Sequence, residues 1–442
     1  MEIIYNKDGT PAMFSSSRIF GVTSRDSLSN VPSEKPKDTF MVDDKEFVSW
    51  GPDNRYPDDA VRIIGRTGVL STAIGFKART SFGQGVIPMD YDGYDDNGEM
   101  ILRPCKDEEV QKYFRSYGYM QYMSKAFRDL FKFGNCFPVF YFNNDGKKIV
   151  QLVLINARHC RVSKDKKWLL VFPNFDDKMP SKEDSQIIRM LDENDPFLEM
   201  EMLKQAGKLK GQPVAFPRIC NYYSNNDYYG IPDWDAALKS GWVEIANKIP
   251  KFLAKSYANA MTLMWHIKIP SSYWDKHFPK NEYQSKEDRQ AAIDEFMEHT
   301  EEALCGEENV SKAFISSYSS GATGKPEGWE IERLKNEIDA KERLSTSAAA
   351  NSEILFSLMI NPSVFGAGMP GGAYAGNAGS GSDIRESFLV SIVTTYIEKQ
   401  QVLYPIQLML EYNGHDSGLI LKYKETILTT LNTGQSKEEI TT

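Results

Sequence analysis

The 442-residue sequence predicts an α+β fold. Apolar residues recur at spacings of three and four over residues 57–83, 108–133 and 383–412, the period of helices with one buried face. Two β-rich runs, 136–142 and 149–155, flank a turn containing Asp145-Gly146, a strong hairpin signal. Further along, strand candidates near 264–269 and 329–334 enclose a capped helix and lie between two longer helices.

In chain order, residues 1–48 are rich in Ser, Lys and Asp and read as an irregular arm. Pro57 is a good first helical residue after Gly51-Pro52-Asp53-Asn54, and Val61, Ile64, Val69, Ile74 and Phe76 carry helical structure to Gly83-Gln84-Gly85. A helix over about 108–133 bears Tyr113, Met120, Met123, Phe127 and Leu130. The hairpin follows, then a charged, loop-like stretch over 174–212 with a short helix near 195–206. Asp233 or Asp235 is placed to cap a long helix with Leu238, Trp242, Ile245, Ile249 and Phe252 on one face, and Pro250 predicts a kink in it. Ser285-Lys-Glu-Asp288 opens a helix ending near Cys305-Gly306. Strand candidates occupy 313–318 and 329–334. Asn336 caps the next helix, which stops at Asn361-Pro362. Between Gly366 and Gly381 seven of sixteen residues are Gly, the composition of a flexible loop. Asp383 and Glu386 form a reciprocal cap that launches a helix to about Tyr412, with a bend near Pro405, and 419–426 closes as a strand.

Composition narrows the function classes. Lys and Arg total 52 against 61 Asp and Glu, a formal charge of −9. That balance argues against tight static binding of nucleic acid, which needs phosphates neutralised, but it does not exclude a conduit past which DNA slides, so sign alone does not decide DNA contact. Cys105, Cys136, Cys160, Cys220 and Cys305 are five in number with no CxxC pair, so neither a disulfide framework nor a zinc ribbon is expected, and assembly in a reducing cytoplasm fits. No basic n-region with an apolar stretch opens the chain, and no run approaches the roughly 18 apolar residues of a spanning helix.

Sites of chemistry are not legible. Gly366, Gly368 and Gly371 satisfy GxGxxG, but a helix rather than a strand precedes them, so the dinucleotide fingerprint fails. GxxxxGK[ST] and GxSxG are absent from the sequence. His159, His266, His277, His299 and His415 have no carboxylate or Cys partner at ligand spacing, so no metal and no cofactor are expected. The carboxylates at 53, 58 and 59, and at 301, 302, 307 and 308, read as solvated faces. Lys248, Lys251 and Lys255 share one side of a helix, where ammonium groups offer screened, mobile contacts to phosphate.

In this order the pieces resemble the portal proteins of tailed bacteriophages over roughly residues 50–430. Leu130-Phe-Lys-Phe-Gly-Asn-Cys-Phe137, leading through the hairpin to Leu152-Val-Leu-Ile-Asn-Ala-Arg-His-Cys-Arg-Val162, looks like that family's helix, Gly-Asn turn and wing strands. Tyr229-Gly-Ile-Pro232 is similar to its entry to the stem. The segment set between two helices looks like its clip, and Ile360-Asn-Pro-Ser-Val-Phe-Gly366, the Gly-rich loop and Gly381-Ser-Asp-Ile-Arg-Glu386 look like stem helix, tunnel loop and wing helix. One proline stands where the family's pattern has two, and little chain remains for a helical crown.

The resemblance implies an N-terminal arm (1–48), an α/β wing (49–232), a first stem helix (233–264), a small α/β clip (265–335), a second stem helix (336–365), a tunnel loop (366–382), a long wing helix (383–414) and a C-terminal wing strand and tail (415–442), with the crown reduced or absent. It implies a non-enzymatic ring of about twelve copies at the portal vertex of the virion, assembled in the host cytoplasm. Genome packaging, retention, ejection and head-to-tail joining would be its work. Its partners would be double-stranded DNA passing non-specifically, the terminase large subunit, a head-tail adaptor and the major capsid protein or scaffold, with no membrane. Gly366, Gly368, Met369, Gly371, Gly372, Tyr374, Asn377 and Ser380 would line the channel, joined by Lys248, Lys251 and Lys255 from the stem. Trp274, Lys276, Glu298, Glu301 and Glu302 would face terminase or adaptor. Two alternatives are another connector or scaffold ring and, in a different class, a nucleotide-binding transferase; an annular particle separates the portal from the transferase.

Overall fold

The structure, a computed structural model, describes residues 2–5, 11–15, 38–175, 178–220, 228–262, 265–269, 271–305, 330–333, 340–365, 381–415 and 418–425. The chain divides into two compact units, Met1–Asn247 with Ser345–Thr442, and Lys248–Leu344. The α+β class holds: helices and mixed sheets share one chain.

In the larger unit β1 (Glu2–Tyr5) pairs with β2 (Pro11–Ser15), and β3 (Thr39–Val42) pairs with β4 (Lys45–Val48), both antiparallel. Asp43 and Asp44 join β3 to β4 at φ 47° and 57°, the doubly left-handed turn whose twist suits a two-residue hairpin. Phe47 and Val48 are buried. The expected irregular arm is thereby corrected: residues 39–48 are a packed hairpin, its short alternation of Phe40, Val42 and Phe47 masked by polar neighbours.

α1 (Tyr56–Arg66) and α2 (Gly68–Phe82) replace one expected helix. They part at Thr67, whose Oγ1 donates to the Ile63 carbonyl at 3.0 Å. β5 (Val86–Tyr94) and β6 (Met100–Pro104) form an antiparallel pair that the sequence reading leaves out. α3 (Glu108–Phe114) and α4 (Tyr117–Phe133) likewise split one expected helix, because Ser116 caps the second, accepting from Tyr119 N at 3.2 Å. Gly134, at φ 71°, ends α4.

The hairpin appears as predicted: β7 (Asn135–Phe142) pairs with β8 (Ile149–Ile155). β9 (Cys160–Val162), β10 (Trp168–Val171), β11 (Gln186–Met190), β12 (Pro213–Ala215) and β13 (Ile219–Cys220) extend it to seven strands in the order β13-β7-β12-β11-β10-β9, with β8 also on β7. α5 (Pro196–Gln205), capped by Asp195, bridges β11 to its parallel neighbour β12. The stretch read as loop plus one helix therefore also holds β11. β7 is buried along nearly all its length, as a central strand covered on both faces must be. α4 packs on β7 and β8.

α6 (Asp235–Lys239) and α7 (Trp242–Thr262) follow, parted at Gly241, φ 88°. The unit at 248–344 holds the end of α7, β14 (Trp265–Lys268), α8 (Ser271–His277), α9 (Lys286–Cys305) and β15 (Glu330–Arg333), the two strands pairing antiparallel. Ser285 Oγ accepts from Asp288 N at 3.0 Å, the cap expected there. The strand expected at 313–318 and the Asn336 cap lie outside the described residues.

α10 (Ala340–Ser357) returns the chain to the larger unit and ends earlier than Asn361-Pro362. Met359 takes φ 56°, and Ile360 N donates to Leu355 O at 3.0 Å, a Schellman-type close without its usual glycine. After a 3₁₀ turn at Pro362–Phe365 come α11 (Gly381–Val393), α12 (Tyr396–Tyr412) and β16 (Leu419–Tyr423), which pairs with β5 to give the order β16-β5-β6. The single helix expected to Tyr412 is corrected to two. Thr394 and Thr395 turn their hydroxyls back onto Val390 O and Ile392 O, both at 3.0 Å, and the helix is interrupted there.

Candidate functional site

Two of the segments that carry the resemblance meet just ahead of α6. Gly134 and Asn135, where α4 becomes β7, lie against Gly230-Ile231-Pro232. A Cβ on Gly134 would stand 2.7 Å from Ile231 C and Pro232 N, so no other residue fits without displacing backbone. Asn135, fully buried, accepts from Gly230 N at 2.7 Å and donates through Nδ2 to Gly230 O at 2.9 Å and Phe133 O at 3.0 Å. One side chain thus satisfies both backbone groups of a residue 95 positions away.

Tyr229 extends the joint. Its ring stacks on Trp50, centroids 4.6 Å apart; its hydroxyl donates to Val48 O at 2.7 Å and accepts from Val162 N at 3.0 Å. Burial raises the phenol to about 12. Trp234, fully buried, donates Nε1 to Lys132 O at 3.1 Å. Arg161, also buried, donates to Asn54 and to the carbonyls of Arg158 and Cys160 and lies 3.9 Å from the Phe175 ring centre. Desolvation lowers it to about 10, so it stays charged at neutral pH.

The capping role expected of Asp233 or Asp235 is corrected. Asp233 pairs with buried Lys77 at 2.8 Å, while Asp235 pairs with Lys239 at 2.7 Å and accepts from Tyr56 Oη at 3.3 Å. Asp58, expected on a solvated face, is buried and ion-paired with Arg158. Asn247 Nδ2 donates to Thr67 Oγ1 at 2.8 Å, tying α7 to the α1–α2 break.

Lys248, Lys251 and Lys255 are exposed on α7. Their spacing keeps them within an arc of about 60°.

In the unit at 248–344 Phe296 of α9 gathers Tyr273, Trp274 and Phe278, centroids 6.5, 6.2 and 5.7 Å away. Arg289 fixes the cluster, donating to Phe278 O at 2.7 Å and Trp274 O at 3.2 Å and pairing with Asp275 at 2.8 Å. Trp274 is therefore part of a small core, whereas Lys276 and Glu298 are exposed. Glu301 and Glu302 lie on α9, their side chains outside the described set. Gly366, Gly368, Met369, Gly371, Gly372, Tyr374, Asn377 and Ser380 all lie outside the described residues. What is described is their anchorage: the 3₁₀ turn at 362–365 packs against α11.

Among the described residues no group of three or more His, Cys, Asp or Glu is placed to hold a metal, and no helix is long and apolar enough to cross a membrane. Cys105, Cys136, Cys160 and Cys220 are free thiols. The Asn135 clamp is a structural joint whose sequence signal is the Gly134-Asn135 dipeptide after an apolar helix.

No protein-family model and no curated protein matches the sequence. Solved structures do. The fold is similar to a chain of the virion of a native gene transfer agent particle, with TM-score 0.56 and 13% identity over 90% of this chain and 88% of that one. It is also similar to a chain of the neck of the empty particle computed with C6 symmetry (0.56, 14%, 85% of each chain), and to one of the native neck computed with C12 symmetry (0.52, 13%, 85% of each). At such identities the likeness is one of fold.

Proposed function

We propose that this chain is the subunit of a portal-type ring at the head-tail junction of a phage-like virion, a conduit for DNA and not an enzyme. The observation that carries the reading is the fold likeness over 85–90% of both chains to components of a virion and its neck. The sequence resemblance points the same way, and its Gly134-Asn135 and Tyr229-Gly-Ile-Pro232 motifs interlock just ahead of α6. About twelve copies surround the channel. Residues 366–382 contact the duplex, and a Gly-rich loop can follow a helical phase that a rigid ring cannot match. Lys248, Lys251 and Lys255 add phosphate contacts weak enough for sliding. The unit at 248–344 meets the packaging motor and later the adaptor through Lys276 and Glu298, its aromatic cluster supporting that surface.

Negative-stain electron microscopy of the chain alone tests this. Annular particles with a central hole are expected; compact monomers that bind nucleotide would overturn it in favour of a transferase.

A further inference from the structure

Around the α11–α12 junction several apolar residues face solvent, although farther along α12 buries Val402, Leu403, Ile406, Leu408, Met409 and Leu410. A surface helix ordinarily buries its apolar stripe and turns charge to water. Here Ser391, Thr395 and Lys399 face inward, Lys399 only 2% exposed, while Val393 is 71% and Ile397 62% exposed, with Leu389, Val390 and Tyr396 beside them in solvent. Val390 and Val393 lie one turn apart on α11, and Ile397 stands in the first turn of α12 just past the break.

The orientation is fixed. Lys399 Nζ donates to Glu425 Oε1 at 2.6 Å and to Ile392 O at 3.5 Å, and lies 5.6 Å from the Tyr423 ring centre; the Tyr423 hydroxyl donates back to Lys399 O at 2.9 Å. Rolling α12 to bury Tyr396 and Ile397 would strand a buried ammonium without its carboxylate. The same unit shows a second apolar group, Ile87, Tyr91, Tyr94 and Met100, exposed on β5 and on β6, which ends its sheet. Scattered exposed apolar residues are ordinary, but two contiguous groups call for cover.

Resting on the ring reading above, we propose that the α11–α12 face of one copy seats on the β5–β6 face of the next. A ring requires two unlike surfaces on each subunit, since one self-complementary surface closes at a dimer. This chain carries two, both apolar, and its fold is similar to that of a chain from a neck computed with C12 symmetry.

The test uses the full chain. Val393→Glu with Ile397→Glu, and separately Tyr94→Glu with Met100→Glu, should each lower the ring fraction at least tenfold by mass photometry while leaving the circular dichroism unchanged. A Val393→Cys copy mixed with a Met100→Cys copy should cross-link on oxidation, with peptide mapping placing the bond between residues 393 and 100. Rings that persist in both double variants, or a 393–393 bond, overturn the interface while leaving the ring standing. A variant whose only change is a lower melting temperature overturns it too, since the chain would then cover its own face. A wild-type chain that forms no ring takes both readings down.

Discussion

In the unit formed by residues 1–247 and 345–442, Lys77, Asp58, Arg161 and Lys399 are buried, each bonded to a partner. In the unit at 248–344 no described side chain is fully buried, and three aromatic rings gather around Phe296, all four of them only partly buried. Local stability follows burial, so the second unit should open at lower cost than the first. Among the described residues of the second unit, the β14–β15 pair, one aromatic cluster and Arg289 make the tertiary contacts.

The strongest way to break this contrast is Gly134→Ala. The added methyl meets backbone at 2.7 Å at a residue whose φ is 71°. Strain and overlap together should cost on the order of 4 kcal/mol. Urea unfolding should show the main transition moving to lower denaturant; a midpoint unchanged would mean that the joint yields. Next is Trp274→Ala, expected to remove about 2 kcal/mol, roughly half the loss for a fully buried ring. Proteolysis should then cut within 248–344 while the main transition holds. Movement of both together would show that the units unfold as one.

Asp129 sharpens the contrast from the other side. It is buried with a single hydrogen bond, from Ala157 N at 2.9 Å, and desolvation raises it to about 6 from 3.8. A carboxyl raised on folding favours the folded state when protonated, so its stabilisation is complete below pH 4 and is lost as pH climbs to about 6. The span corresponds to at most about 3 kcal/mol. Asp129→Asn should be the more stable form at pH 8, by about 1–2 kcal/mol, and should flatten the melting profile between pH 4 and 6. An unaltered profile would place the pH dependence elsewhere.

What was legible in the sequence tracks the range of the interactions. Ser285 with Asp288, and the β7–β8 hairpin around Asp145-Gly146, are local in sequence and were read correctly. The breaks at Thr67, Ser116 and Thr395 were not, because apolar periodicity passes through a single Ser or Thr unaltered while its hydroxyl redirects the backbone. Asp233 and Asp58 were misread for a different reason: their partners, Lys77 and Arg158, are 156 and 100 positions away. The β3–β4 turn, Asp43-Asp44, lacks the Gly that usually announces a doubly left-handed turn. Of the candidate sites, the three lysines are exposed on α7, and Trp274 is partly buried because α9 brings Phe296 against it, a contact that one helix of sequence does not disclose.

The smallest effect on stability is the most telling for Lys248, Lys251 and Lys255. All three are exposed, so changing them together to Gln should move the melting temperature by no more than about 0.5 kcal/mol implies. If they serve the duplex, their loss appears elsewhere. Each phosphate contact steepens the dependence of DNA affinity on salt by about 0.9 in log-log slope, so the triple variant's ring should hold duplex with a shallower slope than wild type at equal stability. A slope that does not change would mark the arc as a solvated face. A large loss of stability would mean that this stretch of α7 is packed like the larger unit, and the contrast between the two units would have to be redrawn at residue 255 instead of 248.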